Sequence, residues 1–329
     1  MAGMGKRMRP HTLTVPKPLV PIAGKPIVQR LVEDIAKVCE QPIEEVAFIV
    51  GRFGEAVEQK LMQIAESVGA KGSIHYQDEP LGTAHANLCA KEALEGHLVV
   101  AFADTLFKAD FTLDTSADGT IWVQQVEDPR PFGVVKLNDK GEITDFVEKP
   151  ETFVSDLAII GIYYFQDGAY LRDELQYLLD NDIKDKGEFQ LTNALENMKN
   201  KGTRFIPGKI SEWLDCGNKD ATVFTNQRYL EYIKDQGDLV AASAQVNNSV
   251  IIPPVYLGEN VVLNNAVVGP HVSIGKNSQV SDSVISNSIV QENTVIKTAN
   301  ITNSMLGSFV SYQGTSVDLS LGDYNTLKE

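Results

Sequence analysis

The sequence has few basic residues and no long apolar run. Lysine and arginine number 29 against 44 aspartates and glutamates, so the formal net charge is -15. A chain this acidic is a poor general partner for nucleic acid, because phosphate backbones bind basic surfaces. No run of about 18 apolar residues occurs, which is the length that a membrane-spanning helix needs. We therefore expect neither nucleic acid nor a membrane as a partner.

Cysteine is scarce as well. Cys39, Cys89 and Cys216 lie far apart, are odd in number and lack the spacing of a metal or redox motif. No charged segment followed by an apolar one, as in a secretory leader, begins the sequence. Reduced thiols and a cytoplasmic location are the expectation.

Acidic residues are missing from the first 32 positions, where the chain is instead basic. This stretch carries six cations: Lys6, Arg7, Arg9, Lys17, Lys25 and Arg30. Gly3 and Gly5 allow backbone N–H groups to approach an anion, and Arg7 follows within reach of it. Lys17 is stiffened by a proline on each side. The pattern predicts a loop that binds a small polyanion such as a polyphosphate.

Up to about residue 235, strand patterns alternate with helix patterns. Four β-rich runs read as buried strands: Glu45–Gly51, His97–Asp104, Thr120–Val126 and Leu157–Phe165. Residues 55–69 and 82–96 have helical spacing and end in glycine. Such alternation predicts an α/β domain with a largely parallel sheet, whose ligands bind at the carboxyl ends of strands.

From about Val246 the pattern changes to a short repeat. Apolar or aromatic residues recur every five or six positions: Val246, Ile251, Leu257, Leu263, Val268, Ile274, Val280, Ile285, Val290, Ile296, Ile301, Leu306 and Tyr312. Asparagine, which tolerates the left-handed backbone of tight corners, is frequent between them. A parallel β-helix with three faces and roughly four coils explains this spacing better than a β-sandwich, whose turns recur every 8–12 residues or so.

Several segments, in chain order, are similar to the signature of the sugar-1-phosphate nucleotidylyltransferases, and most of all to the glucose-1-phosphate thymidylyltransferase type. They are AGMGKRMRPHTLTVPKPLVPIAGKP, YQDEPLGTAHA, VVAFADTLF, FGVV, EKP, IIGIYYF, GEFQLTNAL and WLDCG. The resemblance covers essentially the whole chain, because long members of that family carry a C-terminal left-handed β-helix. It implies a Rossmann-like, mostly parallel catalytic domain over residues 1–238 and a β-helix with tail over 239–329.

The resemblance also implies the reaction. A phosphate oxygen of a hexose 1-phosphate, for which glucose 1-phosphate is expected, attacks the α-phosphorus of dTTP or UTP, and pyrophosphate leaves. An N-acetylhexosamine 1-phosphate as the acceptor, or a non-catalytic regulatory or scaffold protein, remain the alternatives. The implied partners are the two substrates and further copies of the chain in a homo-oligomer.

Residue roles follow from the same resemblance. Nucleotide binding is implied for Gly3, Gly5, Lys6, Gln77 and Gly82. Sugar-phosphate binding is implied for Gly133, Glu148, Lys149, Gly161 and Trp213. Arg7, Lys17 and Lys149 are the implied catalytic cations, and Asp104 and Asp215 would share a Mg²⁺ ion, whose preferred ligands are hard oxygens.

Each of these residues also has a plain structural interpretation. Asp104 could cap a turn, Lys149 could be a solvated loop lysine, Asp215 could end a strand and Gln77 could lie on the surface. His75, His85 and His271 are interpreted as structural or exposed.

The sequence departs from the family pattern at a few points. Lys6 stands where threonine is usual, Ala103 where glycine is usual and Asn193 where aspartate is usual. A short apolar strand normally precedes the glycine loop, and the printed sequence has only two residues before Gly3. The expectation from the pattern is that the coding frame continues upstream with such a strand.

Overall fold

The computed structural model describes residues 3, 5–108 and 113–315. Its contacts divide the chain into two compact units. One contains Met1–Val20 and Lys25–Asn218, and the other contains Pro21–Gly24 and Lys219–Glu329. Residues 219–238, which were predicted to belong to the first domain, group here with the second unit. The domain boundary after residue 238 stays a prediction.

The helices are short to medium in length. They are α1 (Ile27–Val38), α2 (Glu55–Ser67), α3 (Thr83–Leu88), α4 (Gly168–Asp180), α5 (Leu191–Asn200) and α6 (Lys219–Ile233), with 3₁₀ turns at Lys6–Met8, Lys17–Leu19 and Lys91–Ala93. Among the described residues, no helix combines the length and the apolarity needed to cross a bilayer.

The strands before α6 are β1 (Pro21–Ile22), β2 (Lys25–Pro26), β3 (Glu45–Val50), β4 (Lys71–Tyr76), β5 (Leu98–Ala101), β6 (Thr105–Lys108), β7 (Gly119–Gln125), β8 (Gly133–Leu137), β9 (Ile143–Glu148), β10 (Leu157–Phe165), β11 (Phe205–Lys209) and β12 (Glu212–Asp215). Those after it are β13 (Gln245–Asn247), β14 (Val250–Ile251), β15 (Val255–Leu257), β16 (Val262–Asn264), β17 (Val267–Val268), β18 (Val272–Ile274), β19 (Gln279–Ser281), β20 (Val284–Ser286), β21 (Ile289–Val290), β22 (Val295–Lys297), β23 (Asn300–Thr302), β24 (Met305–Leu306) and β25 (Ser311–Gln313).

Strand β10 is the centre of the main sheet in the first unit. Eight of its nine residues are buried, as expected for an apolar run that packs on both faces. The sheet order is β11-β7-β10-β8-β9, and β5 also pairs with β10. The β7–β11 and β3–β4 pairs are parallel, whereas β10 is antiparallel to β5, β7 and β8. Runs of apolar residues indicate burial and carry no information about direction, so the antiparallel pairs were not visible in the sequence.

Residues 82–96 contain less helix than the spacing of their apolar residues predicts. Helix α3 ends at Leu88, and only a 3₁₀ turn follows at Lys91–Ala93. The pattern of residues 55–69 is observed as α2, with Gly69 at φ +80° just beyond its end. A glycine at this position ends the helix in the left-handed conformation without a Cβ penalty.

The second unit contains a parallel β-helix of about four turns, as predicted. Its three sheets run β13-β16-β19-β22-β25, β14-β17-β20-β23 and β15-β18-β21-β24, and all their pairs are parallel. Most of the predicted inward residues form one buried cluster, whereas Val246 and Tyr312 at its two ends are 41% and 47% exposed. The handedness stays an expectation from the family resemblance.

Asparagine has two roles in the β-helix. The corner positions Asn248, Asn260, Asn265, Asn277, Asn287 and Asn293 have positive φ, as predicted. Asn247 and Asn264 lie in strands instead, where the amide of Asn247 donates to the side-chain oxygen of Asn264 at 3.0 Å. The same residue type therefore turns the chain at corners and links adjacent coils on a face.

Candidate functional site

The basic loop at the start of the chain is held by its own residues. Gly5 has φ +54°, and its carbonyl accepts the Thr12 hydroxyl at 2.8 Å. A Cβ at Gly5 would lie 3.2 Å from the Cβ of Lys17, so the loop packs closely on this lysine. Lys6 and Arg7 are exposed. A cavity of about 110 Å³ opens beside the loop, lined by Gly3, Thr12, Leu13, Thr14, Val15, Pro16, Lys17 and Phe53.

Lys17 is nearly buried and pairs with an acid. Its Nζ lies 2.7 Å from Oδ2 of Asp104, and its side chain is only 10% exposed, compared with 42% for the aspartate. A buried ammonium requires a charged or hydrogen-bonding partner. The structure therefore joins the predicted phosphate loop to the predicted metal aspartate.

The two aspartates come together through strand pairing. Asp104 directly precedes β6, and Asp215 ends β12, which is antiparallel to β6 with Asp215 opposite Thr105. The backbone N–H of Cys216 donates to the carbonyl of Asp104 at 3.0 Å. A pair that lies 111 positions apart in sequence is thus fixed by a two-stranded ladder.

Burial raises the pKa of the Asp215 carboxyl, and the negative charge of Asp104 raises it further. The charges of Lys17 and Arg7 and the Gly217 N–H, which donates to its Oδ1 at 2.9 Å, act in the opposite direction. A half-buried carboxyl whose pKa is raised, with a second carboxylate nearby, fits a site that gains from a divalent cation. No cluster of three or more histidine, cysteine or acidic side chains suited to a metal occurs in the described part of the chain.

The predicted base-binding residues lie at one turn. The Gln77 side-chain amide donates to the Gly82 carbonyl at 3.1 Å and lies 3.2 Å from Nδ1 of His85. Gly82 has φ +114°, and a Cβ there would lie 2.4 Å from the Phe189 carbonyl oxygen. The glycine is therefore required by backbone packing, and His85 helps to orient Gln77.

The predicted sugar-phosphate residues form a second group. Lys149 has φ +41°, is exposed, and its Nζ lies 3.3 Å from Oε1 of Glu148. Oε2 of Glu148 accepts the Thr192 hydroxyl at 3.1 Å. A Cβ on Gly133 would lie 3.1 Å from that same Oε2. Gly133 thus leaves the space that the glutamate occupies.

Gly161 and Trp213 have evident packing roles. Gly161 has φ +83° at a register shift in β10, where a Cβ would lie 2.8 Å from the Phe102 ring. The Trp213 ring meets Phe132 edge-on at 5.0 Å between centroids. Its buried Nε1 has no hydrogen-bond partner among the described residues.

Sequence reasoning missed several residues that hold these groups. Thr12, His85, Lys186 and Thr192 hydrogen-bond to Gly5, Gln77, Lys149 and Glu148, respectively. Thr192 lies in the segment GEFQLTNAL, which is similar to the family pattern, but the sequence predicted no role for it. His85 and His271 were interpreted as structural or exposed. His85 lies beside the Gln77 amide, and Nε2 of His271 lies 2.6 Å from Oε1 of Glu231.

Comparison with known proteins identifies a family and several relatives. The family model described as nucleotidyl transferase matches residues 1–232. A low-salt glycan biosynthesis nucleotidyltransferase of Haloferax volcanii is 32% identical over 70% of this chain and 64% of its own. The bifunctional protein GlmU of Methanococcus maripaludis is 30% identical over 76% of this chain and 57% of its own. The chain therefore spans less than two thirds of the length of these curated relatives.

Three further matches are one curated relative, named for guanylyl transfer, and two solved structures. The catalytic subunit beta of mannose-1-phosphate guanylyltransferase from Danio rerio is 30% identical over 79% of this chain and 72% of its own. A UDP-glucose pyrophosphorylase solved with UDP-glucose matches with a TM-score of 0.57 and 25% identity over 70% of this chain and 96% of that one. A structure from Bacillus anthracis assigned as a glucose-1-phosphate thymidylyltransferase, 22% identical over 68% and 91% of the two chains, matches in fold with a TM-score of 0.58.

Proposed function

The chain belongs to the nucleotidyl transferase family, and we propose that it condenses a nucleoside triphosphate with a sugar 1-phosphate, releasing pyrophosphate. The observation that carries the proposal is the charge cluster beside the glycine loop, where Lys17, Asp104 and Asp215 converge and Arg7 acts on the same carboxylate. A non-catalytic regulatory or scaffold protein would have no need of this cluster together with Lys149. The proposed location of this enzyme is the cytoplasm.

The proposed step is a direct displacement. A phosphate oxygen of the sugar 1-phosphate forms a bond to the α-phosphorus, and the bond from that phosphorus to the bridging oxygen of pyrophosphate breaks. No covalent enzyme intermediate is needed, so the protein positions the groups and neutralises their charge. Lys17 and Arg7 would face the triphosphate and the leaving pyrophosphate, and Lys149 would face the attacking phosphate.

Mg²⁺ is the proposed cofactor, held by Asp104 and Asp215. It would supply positive charge to the phosphate oxygens. Two carboxylates provide only part of the oxygen donors that Mg²⁺ requires, so the ion would bind together with the nucleotide.

For the substrates we propose dTTP or UTP with glucose 1-phosphate. The Gln77 amide carries an acceptor as well as the donor that contacts Gly82 and His85, and its oxygen suits the N3–H of thymine or uracil. The GlmU and guanylyltransferase relatives favour testing two other pairs, UTP with N-acetylglucosamine 1-phosphate and GTP with mannose 1-phosphate.

The test is a pyrophosphate-release panel with Mg²⁺. Five nucleoside triphosphates (dTTP, UTP, GTP, ATP and CTP) are combined with glucose, N-acetylglucosamine and mannose 1-phosphates. We expect the highest kcat/KM with dTTP or UTP and glucose 1-phosphate. Release with a different pair would correct the specificity, and no release with any pair would overturn the proposed function.

The two proposed phosphate sites should separate kinetically. Lys149→Ala is expected to raise the KM of the sugar 1-phosphate more than that of the nucleotide, because Lys149 lies beside Glu148 and not in the basic loop. Arg7→Ala is expected to raise the nucleotide KM or to lower kcat. Initial-rate kinetics in both substrates measure the difference, and identical effects of the two substitutions would show that the cations are misassigned.

A further inference from the structure

One segment of the first unit, residues 185–192, hydrogen-bonds to both proposed substrate sites. Its first part is a tight turn, in which Asp185 and Glu188 exchange backbone hydrogen bonds of 2.9 and 3.0 Å. The two residues between them, Lys186 and Gly187, have φ of +52° and +85°. Positive φ at both central positions is the geometry of a type I′ turn, which is unfavourable for lysine.

In this unfavourable backbone conformation, the side chain of Lys186 makes a hydrogen bond to a residue distant in sequence. Its Nζ donates to the carbonyl of Lys149 at 2.7 Å, across 37 residues of sequence. Lys149 is itself left-handed, and its N–H donates to the Phe132 carbonyl at 3.0 Å. Hydrogen bonds therefore fix the backbone of Lys149 on both sides, which restricts where its exposed ammonium group can lie.

The other end of the segment holds Glu148. Thr192, which is 5% exposed, donates its hydroxyl to Oε2 of Glu148 at 3.1 Å. Oε1 of the same carboxylate lies 3.3 Å from the Lys149 ammonium. Both residues of the Glu148–Lys149 pair are thus oriented by this one segment.

The middle of the segment builds the turn that carries the base-binding residues. The Phe189 N–H donates to the Leu81 carbonyl at 2.8 Å, and the Ala84 N–H donates to the Phe189 carbonyl at 2.9 Å. The Thr83 hydroxyl accepts the Leu191 N–H at 2.9 Å and lies 3.2 Å from the side-chain oxygen of Gln190. Gly82, whose carbonyl accepts from Gln77, packs against the Phe189 backbone.

We propose that Lys186 and Thr192 are positioning residues for the sugar-phosphate site, and that residues 185–192 couple this site to the nucleotide-base site. The inference rests on the proposed function. A bound base fixes the turn at Gly82 and Thr83, which is hydrogen-bonded to the segment of residues 185–192. This segment in turn orients Glu148 and Lys149. A nucleotide in its site therefore prepares the site for the sugar 1-phosphate, which lowers the cost of ordering Lys149 on binding.

The first experiment compares Lys186→Met with two matched variants, using the substrate pair that the release panel selects. Lys186→Met removes the donor and keeps an unbranched chain, Lys186→Arg keeps a donor, and Lys140→Met removes one charge from an exposed turn after β8. We expect Lys186→Met to raise the KM of the sugar 1-phosphate roughly tenfold, the effect of losing a charged hydrogen bond, with a smaller change in the nucleotide KM. Lys186→Arg should recover most of the loss, and Lys140→Met should resemble the wild type.

A double-mutant cycle tests whether Lys186 acts through Lys149. In the Lys149→Met background, Lys186→Met is expected to change the sugar 1-phosphate KM by less than about twofold, because the ammonium that it positions is gone. Thr192→Val should act in the same direction as Lys186→Met, with Thr192→Ser close to the wild type. Additive effects in the cycle would overturn the positioning role.

The second experiment measures the coupling itself by calorimetry. The Kd of the sugar 1-phosphate is measured with and without an α,β-methylene analogue of the nucleotide. The wild type and Lys140→Met should bind more tightly with the analogue, and this gain should shrink in Lys186→Met and in Thr83→Val. An equal gain in all four proteins would overturn the coupling.

Failure of this inference can be told apart from failure of the proposed function. If no substrate pair releases pyrophosphate, both are wrong. If the wild type is active and Lys149→Met raises the sugar 1-phosphate KM, while Lys186→Met behaves as Lys140→Met does, the inference alone is wrong.

Discussion

Asp215→Asn is expected to remove almost all turnover and to leave the melting temperature equal to the wild-type value or above it. Burial and the charge of Asp104 raise the pKa of Asp215, so its ionised form is unfavourable in the folded protein. Asparagine has nearly the same shape and no charge, so the substitution removes the free-energy cost of ionising this carboxyl. Activity should nevertheless fall on the order of 10²–10³-fold, the loss typical of removing one preorganised group that stabilises transition-state charge.

The pH dependence of this difference has a definite sign. The pKa of Asp215 is higher in the folded protein than in the unfolded protein, so its ionisation lowers the free energy of unfolding at neutral pH. This cost disappears as the pH falls toward the pKa of aspartate in the unfolded protein, about 3.9. The melting temperatures of the metal-free wild type and Asp215→Asn should therefore converge on acidification. Calorimetric scans between pH 4 and pH 8 or so measure this convergence.

Asp104→Asn is the matched variant, with the same expected loss of activity and the opposite effect on stability. It removes the ion-pair partner of Lys17, whose side chain is only 10% exposed, so the melting temperature should fall. Mg²⁺ should raise the melting temperature of the wild type and of neither variant, since a ligand that binds only the folded state stabilises it. Full activity in EDTA, or in Asp215→Asn, would contradict the metal assignment.

The sequence predicted best those features that repeat over short distances. Strand β10 has the predicted bounds because eight apolar or aromatic residues and a single glycine leave little alternative. The β-helix follows from steps of five and six residues, because each inward side chain needs one apolar position per face. Asp104 and Asp215 could be paired in advance only through the family resemblance, since the β6–β12 ladder that joins them is long-range.

The remaining features depend on tertiary contacts that local patterns do not encode. A type I′ turn usually has asparagine or glycine at its first central position, and Lys186 gives no such signal. Its contact with Lys149 spans 37 residues, and that of Thr192 with Glu148 spans 44. Gly161 looked like a binding residue from its motif, whereas the structure shows that the bulge in β10 and the Phe102 ring already require a glycine.

The other large effect is expected in the β-helix, where Ile285→Asp should cost at least about 4 kcal/mol of unfolding free energy. Ile285 is fully buried in β20, between Val268 of one neighbouring coil and Ile301 of the other. A carboxylate there loses the packing of the isoleucine and has no polar partner among the side chains of that buried cluster. For a domain of this size the melting temperature of the second unit should fall by roughly 8 °C or more.

Val284→Asp is the control, one residue earlier in the same strand. Val284 points to the other face and is 46% exposed, so an aspartate there stays solvated and should change the melting temperature by no more than about 2 °C. Differential scanning calorimetry of the full chain measures both variants. Because successive side chains in a strand point to opposite faces, the contrast tests the register of the coil directly. Equal effects of the two substitutions would mean that the inward and outward positions of β20 are assigned wrongly, and with them the five- and six-residue spacing from which the β-helix was predicted.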